Sequence, residues 1–281
     1  MQVAVTGSSG KIGRAAMAAL RAAGHRAVGF DLKPSPDGRR TLPVDCTDLG
    51  QVMSALSGID AVAGRPDAVI HLAGIPAPGL AADHTIFDTN TVSTHNVFTA
   101  CARLGVGRVV WASSETVFGL PYTTPPDFLP LDESHPVRPE YDYSLSKQLG
   151  EVMADTFARR NPGMAFVSLR FSNVLTEADY ADLASIQARP ELRRANVWAY
   201  IDAADAGDAC RLAVEADLNG HERLIIAASD SLFDIPSAEL HASYLPDVPL
   251  RTALTGYQTL LSPARAAEVI GFRPSVSWRQ R

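Results

Sequence analysis

Tyr143 and Lys147 stand four residues apart in a stretch of helical periodicity, 143–160, so both side chains face one side of a helix. A free phenol has a pKa near ~10 and is a poor base at neutral pH. An ammonium beside it stabilises the phenolate and brings its pKa toward the working range of a general base. Such a pair also arises by chance, so alone it carries little. Ser113 and Ser114 follow a strand candidate, Arg108–Ala112, at the C-terminal edge where open α/β sheets place their ligands. A hydroxyl there can bond a substrate oxygen as charge builds on it. A serine capping a loop is the plainer alternative, and the Tyr–Lys pair tips the balance toward chemistry.

A second constellation lies at the N-terminus. Val3-Ala4-Val5-Thr6 runs into Gly7-Ser8-Ser9-Gly10-Lys11-Ile12-Gly13, a strand, a glycine turn and a helix start. Glycine at 7, 10 and 13 permits a tight turn and close approach of the backbone to a pyrophosphate, and the helix N-terminus offers free N–H groups to the phosphates. Asp31 ends the next strand, 18 residues after Gly13. A carboxylate there accepts hydrogen bonds from both ribose hydroxyls and repels a 2′-phosphate, which favours NAD over NADP. Lys33, Arg39 and Arg40 keep NADP open as the alternative, although they read as a solvated loop.

These groups need a scaffold. Strand candidates are Gln2–Thr6, Ala27–Asp31, Ala68–Leu72, Arg108–Ala112 and Ala165–Phe171. Helical stretches alternate with them: Ile12–Ala23, Leu49–Leu56, Ile86–Leu104 and Tyr143–Arg160. Apolar runs separated by helices predict an α/β fold, a doubly wound parallel sheet covered on both faces. Leu145, Leu149, Val152, Met153 and Phe157 form an apolar stripe for core or dimer packing. Leu120–Glu140 is rich in proline and excludes regular helix or central strand. Residues 176–195 are polar and irregular. The expected division is a Rossmann-type domain over 1–175, with further core elements around 196–228, and a small C-terminal substrate-binding region over 176–281.

Composition narrows the partners. The 281 residues carry a net charge of −6 and no basic run, which argues against nucleic acid. Cys46, Cys101 and Cys210 are too scattered for a metal site or disulfide framework. No apolar run is long enough to span a membrane, so a cytoplasmic protein is expected.

The ordered motifs resemble the extended short-chain dehydrogenase/reductase family, the NAD-dependent epimerase/dehydratase group. They are TGSSGKIG at 6–13, Asp31, Asp45, VIHLAG at 69–74, Asn90, SSETVFG at 113–119, YSLSK at 143–147, LRFSNV at 169–174 and LSPARAAEVIGFRP at 261–274. The resemblance implies a Rossmann fold with Ser114, Tyr143 and Lys147 as catalytic residues. It implies a cofactor site of Gly7, Ser9, Gly10, Lys11, Ile12, Gly13, Asp31, Asp45, Cys46, Leu72, Ala73, Gly74, Asn90 and Ser172. Glu115 and Asn173 then join Ser114 and Tyr143 around the substrate, and His71 is read as structural. It also implies a homodimer through the helices 86–104 and 143–160.

Departures from the family bear on the substrate. Sugar-nucleotide dehydratases carry an Asp-Glu pair after the serine or threonine, where this chain has Glu115 and Thr116, so elimination of water is disfavoured. Only about 25 residues separate Asn173 from Trp198, a short span for gripping a nucleotide. Arg189, Arg193 and Arg194 could meet phosphates, although an exposed helix face is the commoner explanation. The expectation is an NAD-dependent oxidoreductase or epimerase acting on a sugar or sugar derivative. A uronate-type sugar dehydrogenase releasing NADH is the alternative within the class. A redox-inactive dinucleotide-sensing regulator is the alternative outside it, and the intact Tyr143 and Lys147 weigh against that.

Overall fold

The computed structural model describes residues 1–58 and 64–281. The chain begins with β1 (Gln2–Thr6), α1 (Lys11–Ala22), β2 (Arg26–Asp31), β3 (Thr41–Pro43), α2 (Leu49–Ser57) and β4 (Ala68–His71). Then come α3 (Asp83–Leu104), β5 (Arg108–Ser114), α4 (Asp142–Arg160), β6 (Ala165–Phe171) and β7 (Val174–Leu175). Two short helices, α5 (Glu177–Tyr180) and α6 (Leu183–Gln187), lead to β8 (Ile201–Asp202) and α7 (Ala203–Glu215). The chain closes with β9 (Gly220–Ile226), α8 (Ser237–Tyr244) and α9 (Ala264–Ile270).

Seven strands form one parallel sheet in the order β3-β2-β1-β4-β5-β6-β9, while β7 and β8 pair separately. The order reverses direction between β1 and β4, and the crevice beyond their C-terminal ends is where such sheets take a ligand. Side chains alternate across the sheet. Val3, Val5 and Ile70 pack with α1, α7 and α9 on one face, while Ala4, Val69 and Trp111 pack with α2, α3 and α4 on the other. α1 and α7 touch closely, because a side chain at Gly207 would meet Ala15 at 2.5 Å. A third apolar cluster joins Phe118, with Leu129 and Leu131 of the proline-rich segment, to Trp198, Tyr200, Phe233 and Leu261. That cluster roofs the C-terminal edge of the sheet.

Several boundaries differ from expectation. β5 runs on through Ser113 and Ser114, because the ladder to Arg170 and Phe171 of β6 continues that far. β3 is a three-residue edge strand ending in proline, too short to register as a periodic run. α7 is capped by Asp202, whose side chain accepts from the Ala204 N–H at 2.7 Å. The polar segment after Asn173 holds two short helices and a 3₁₀ turn over Pro190–Asn196. Among the described residues no helix is long and apolar enough to cross a membrane.

Candidate active site

The glycine turn is sterically closed to other residues. Gly7 has φ of +67°, and a side chain there would strike Ala73 N at 2.6 Å; one at Gly13 would lie 2.1 Å from the Gly7 carbonyl. Removing those atoms lets α1 start against β1 and leaves its first N–H groups, at Lys11, Ile12 and Gly13, directed out of the helix end. Asp31 sits beside this turn. Its carboxylate accepts from Ser9 N and from Lys33 N, both at 3.0 Å, and a carboxylate has acceptor sites to spare for a diol. Lys33 and Arg39 lie on the loop as expected, with Arg39 paired to Asp37. Arg14, Arg21, Arg39 and Arg40 line a small hollow beside Ser8.

The other sequence-derived cofactor residues line the same crevice or buttress it. Asn90 is spent on backbone: it accepts from Ile75 N at 2.8 Å and donates to Ile75 O, which shapes the turn at Ala73 and Gly74. Leu72 N and Ala73 N bond back to Thr6. Asp45 folds onto Thr47, and Cys46 is buried with its carbonyl held by Asn96, its thiol pushed up to about 12 by burial. His71 is enclosed between Thr6 and Thr94, and burial pushes its pKa down to about 3, so the ring is neutral. Lys11 turns its ammonium away to Asp179 of α5 at 2.7 Å, a bridge that straps the irregular segment to the glycine turn.

Ser114, Glu115, Tyr143 and Lys147 come together beyond the end of β5, all buried. Tyr143 and Lys147 share a face of α4 as their spacing requires, the ammonium 5.5 Å from the centre of the phenol ring. Lys147 Nζ donates to the Ala112 carbonyl at 2.9 Å and has no carboxylate partner among the described residues, so burial pushes it down to about 8. Burial pushes Tyr143 up to about 12; the neighbouring Ser114 hydroxyl opposes that and the Glu115 charge adds to it. Without further positive charge the phenol therefore keeps its proton at neutral pH. Glu115 takes a hydrogen bond from Ser172 Oγ at 2.7 Å, and burial pushes it up to about 7 against the pull of Ser172 and Arg193. Asn173, at the end of β6, is half-buried, with its carbonyl bonded to Ile201 N.

Sequence reasoning misjudged Arg193. Arg189 and Arg194 are exposed, but Arg193 lies half-buried on the 3₁₀ turn, with Glu115 the charge acting on it. The turn ends in Val197 and Trp198, both fully buried with φ of 50° and 56°. Left-handed backbone at a β-branched residue is strained and persists only where the surroundings hold it, as they do at binding sites. The charges of Glu115 and Arg193 act on one another only through folding, since the two stand 78 residues apart in the chain. Among the described residues no group of acidic, His or Cys side chains could hold a metal ion.

A family model described as the NAD dependent epimerase/dehydratase family matches residues 3–227. L-arabinose 1-dehydrogenase (NAD(P)(+)) of Haloferax volcanii is 28% identical over 229 residues, 77% of this chain and 84% of that protein. UDP-glucose 4-epimerase of Azospirillum brasilense is 30% identical over 177 residues, 62% of this chain but only 49% of the epimerase. A short-chain dehydrogenase/reductase superfamily protein from Agrobacterium tumefaciens, crystallised with bound NAD, superimposes with a TM-score of 0.76 at 25% identity, covering 100% of this chain and 94% of the other.

Proposed function

The chain belongs to the NAD-dependent epimerase/dehydratase family, and on that premise we propose that it transfers hydride at a secondary alcohol or ketone of a sugar or sugar derivative. The observation that carries this reading is the buried phenol of Tyr143, with the Lys147 ammonium 5.5 Å from its ring centre and Ser114 beside it at the C-terminal end of β5. Gly7, Gly10 and Gly13 with the N–H groups of Lys11 and Ile12 would hold the pyrophosphate, and Asp31 would hold the adenosine ribose. NAD held there would supply the hydride acceptor. NAD is assigned over NADP because Asp31 faces the ribose site; the arginines beside Ser8 are what support NADP.

In the oxidative direction Tyr143 takes the proton from the substrate hydroxyl, and in the reductive direction it returns it. Lys147 makes the phenolate reachable, since a cation in a dry site favours the charged form of a neighbouring acid. Ser114 bonds the reacting oxygen as its charge changes. Residues 1–175, with the core elements around 196–228, serve the cofactor, and the region 176–281 closes over the substrate. The exposed Val92, Leu145 and Val152 on α3 and α4 support a homodimer through these helices.

A second reading is favoured by Arg193: a half-buried guanidinium with no ion pair among the described residues suits a substrate carboxylate. On that reading the substrate is a free uronic acid and NADH is the product. The test is NADH formation on mixing protein and NAD with neutral aldoses, uronic acids or UDP-sugars in turn. Net NADH from a free sugar or sugar acid supports dehydrogenation, and interconversion of UDP-sugars without net NADH supports epimerisation. If Tyr143→Phe left every one of these activities unchanged, the proposed chemistry would be wrong.

A further inference from the structure

Residues 176–196 leave the sheet and return to the same place. Val174 and Leu175 of β7 pair with Ile201 and Asp202 of β8, and Ile201 N donates to the Asn173 carbonyl at 3.0 Å, so the two ends of the excursion are pinned side by side. The returning end is fixed further by the fully buried Trp198, whose Nε1 donates to the Pro190 carbonyl at 2.8 Å. Between those ends no side chain is fully buried, although Tyr180, Leu183 and Ile186 are partly buried against the third apolar cluster. A loop this long, closed at its base and thinly packed along its body, can open without unfolding the rest.

The loop reaches the glycine turn. Lys11 Nζ donates to Asp179 Oδ1 at 2.9 Å and to Oδ2 at 2.7 Å, a two-oxygen contact between the first residue of α1 and α5. Asp179 is set in place for it, because Oδ2 also accepts from Thr176 N at 2.8 Å and Thr176 Oγ1 at 2.6 Å. Partial burial pushes Asp179 up, but the hydrogen bonds from Lys11 and Thr176 outweigh it and hold the carboxyl down to about 2, so it stays charged near neutrality. On its far side α5 is tied to the start of α7: Tyr180 Oη donates to Asp202 Oδ2 at 3.1 Å, and Arg281 bonds both Glu177 and Asp202. β6 stands three strands from β1, about 14 Å at the usual spacing, and the loop spans that width with its base packed, through Val174 and Ile201, on the α1 and α7 side. α4 brings Tyr143 and Lys147 from the other side. A dinucleotide reaching from the glycine turn toward Tyr143 would lie between these two walls.

We propose that residues 176–196 form a flap over the dinucleotide, latched to the glycine turn by Lys11 and Asp179, so that the cofactor enters and leaves only while that pair is open. The latch is ionic and half-exposed, which makes it weak enough to break often and sensitive to salt. Breaking it leaves α5 tied to Asp202, so the loop swings from its base and does not unravel. While closed, the Lys11 ammonium also neutralises Asp179 beside a site for phosphates. The proposal rests on the dinucleotide reading above.

The latch is testable first without nucleotide. Hydrogen exchange of the backbone amides over 176–189 is expected to quicken about three- to fivefold in Asp179→Asn, the yield of a half-exposed ion pair, while the amides of α7 keep their rate. The asparagine amide oxygen can still accept from Thr176, so α5 itself is retained. Stopped-flow fluorescence of NADH then reads entry and exit. In Asp179→Asn both are expected to quicken by about the same three- to fivefold, with the dissociation constant changed by less than about twofold, and about 0.5 M salt is expected to close most of the gap to the wild type. In Lys11→Met, which has no pair to break, adding Asp179→Asn is expected to quicken release no further. Slower release from Asp179→Asn means that the freed Lys11 serves the phosphates directly, and it overturns the latch, as do exchange and NADH rates that match the wild type. A chain that binds no NADH overturns the dinucleotide reading and the flap together; one that binds it at unchanged rates overturns the flap alone.

Discussion

Ser113 and Ser114 are neighbours on β5, yet they enter opposite kinds of polar cluster. Ser113 donates to Glu151 at 2.7 Å, and Glu151 holds Arg170 by two hydrogen bonds at 2.8 and 2.7 Å, both side chains almost wholly buried. Arg223 reaches Glu151 and Asp155, His221 bonds to Asp155 at 2.9 Å, and His221 meets Ser168, to which Trp111 Nε1 donates at 2.6 Å. Ser168, His221 and Asp155 follow the order of a hydrolytic triad, but Ser168 is fully enclosed in mid-strand and has no path to a substrate. At the C-terminal end of β5, on the side of α4, Ser114 stands with Tyr143, Lys147 and Glu115, whose charged groups are buried without ion-pair partners among the described residues. One cluster is closed by ion pairing; the other leaves its charged groups without ion-pair partners among the described residues. The difference shows in the carboxylates. Arg170 and its companions hold Glu151 below the usual carboxylate range despite burial, whereas burial wins at Glu115 and pushes it up to about 7.

The widest separation is expected from one substitution on each side. Tyr143→Phe should cut turnover by about a thousandfold or more, the upper part of what positioned acid–base groups supply, with thermal stability little changed. Glu151→Ala should do the reverse, destabilising the fold by about 3–5 kcal/mol because it strands the buried Arg170, as measured by denaturant unfolding. If Glu151→Ala unfolded like the wild type, the closed cluster would not be the stabilising one.

Lys147→Met sharpens the contrast, since it should abolish most turnover while raising the thermal midpoint at neutral pH. The sign follows from its pKa, lowered from 10.5 to about 8 by burial. Below pH 8 the folded state carries a poorly solvated ammonium and bears the full penalty. Between about 8 and 10.5 the folded state sheds its proton before the unfolded chain does, and the penalty fades. The stability advantage of Lys147→Met should therefore shrink across that window, and an advantage independent of pH would contradict it. Smaller effects divide the serines: Ser113→Ala should cost about 1 kcal/mol of stability, and Ser114→Ala about tenfold in kcat/KM. Smallest of all, Asp31→Ser should move the ratio of NAD to NADP affinity toward NADP by about tenfold, with the arginines near Ser8 available to the extra phosphate.

Much of this was legible in the chain. The glycine turn, Asp31, the strand–helix alternation and the pair Tyr143 and Lys147 are local patterns, and periodicity alone puts the last two on one helix face. β3 and α7 escaped because a three-residue edge strand has no period to detect and α7 is marked by little more than alanines and an aspartate cap. The run of β5 through both serines escaped as well, since a ladder ends where its partner strand ends and not where apolar residues stop. Arg193 was read as one of three surface arginines because nothing nearby in sequence distinguishes it from Arg189 and Arg194.

What short-range order determines, then, is the type of each element and the residues that share its face. Sequence sufficed for the doubly wound sheet, for the glycine turn and for the shared helix face of Tyr143 and Lys147. Which serine lies beside Tyr143, whether a buried carboxylate is paired, and which arginine acts on Glu115 depend on groups that are distant in the chain. Their charges are set by desolvation and by partners supplied from other elements, and those exist only once the chain has folded.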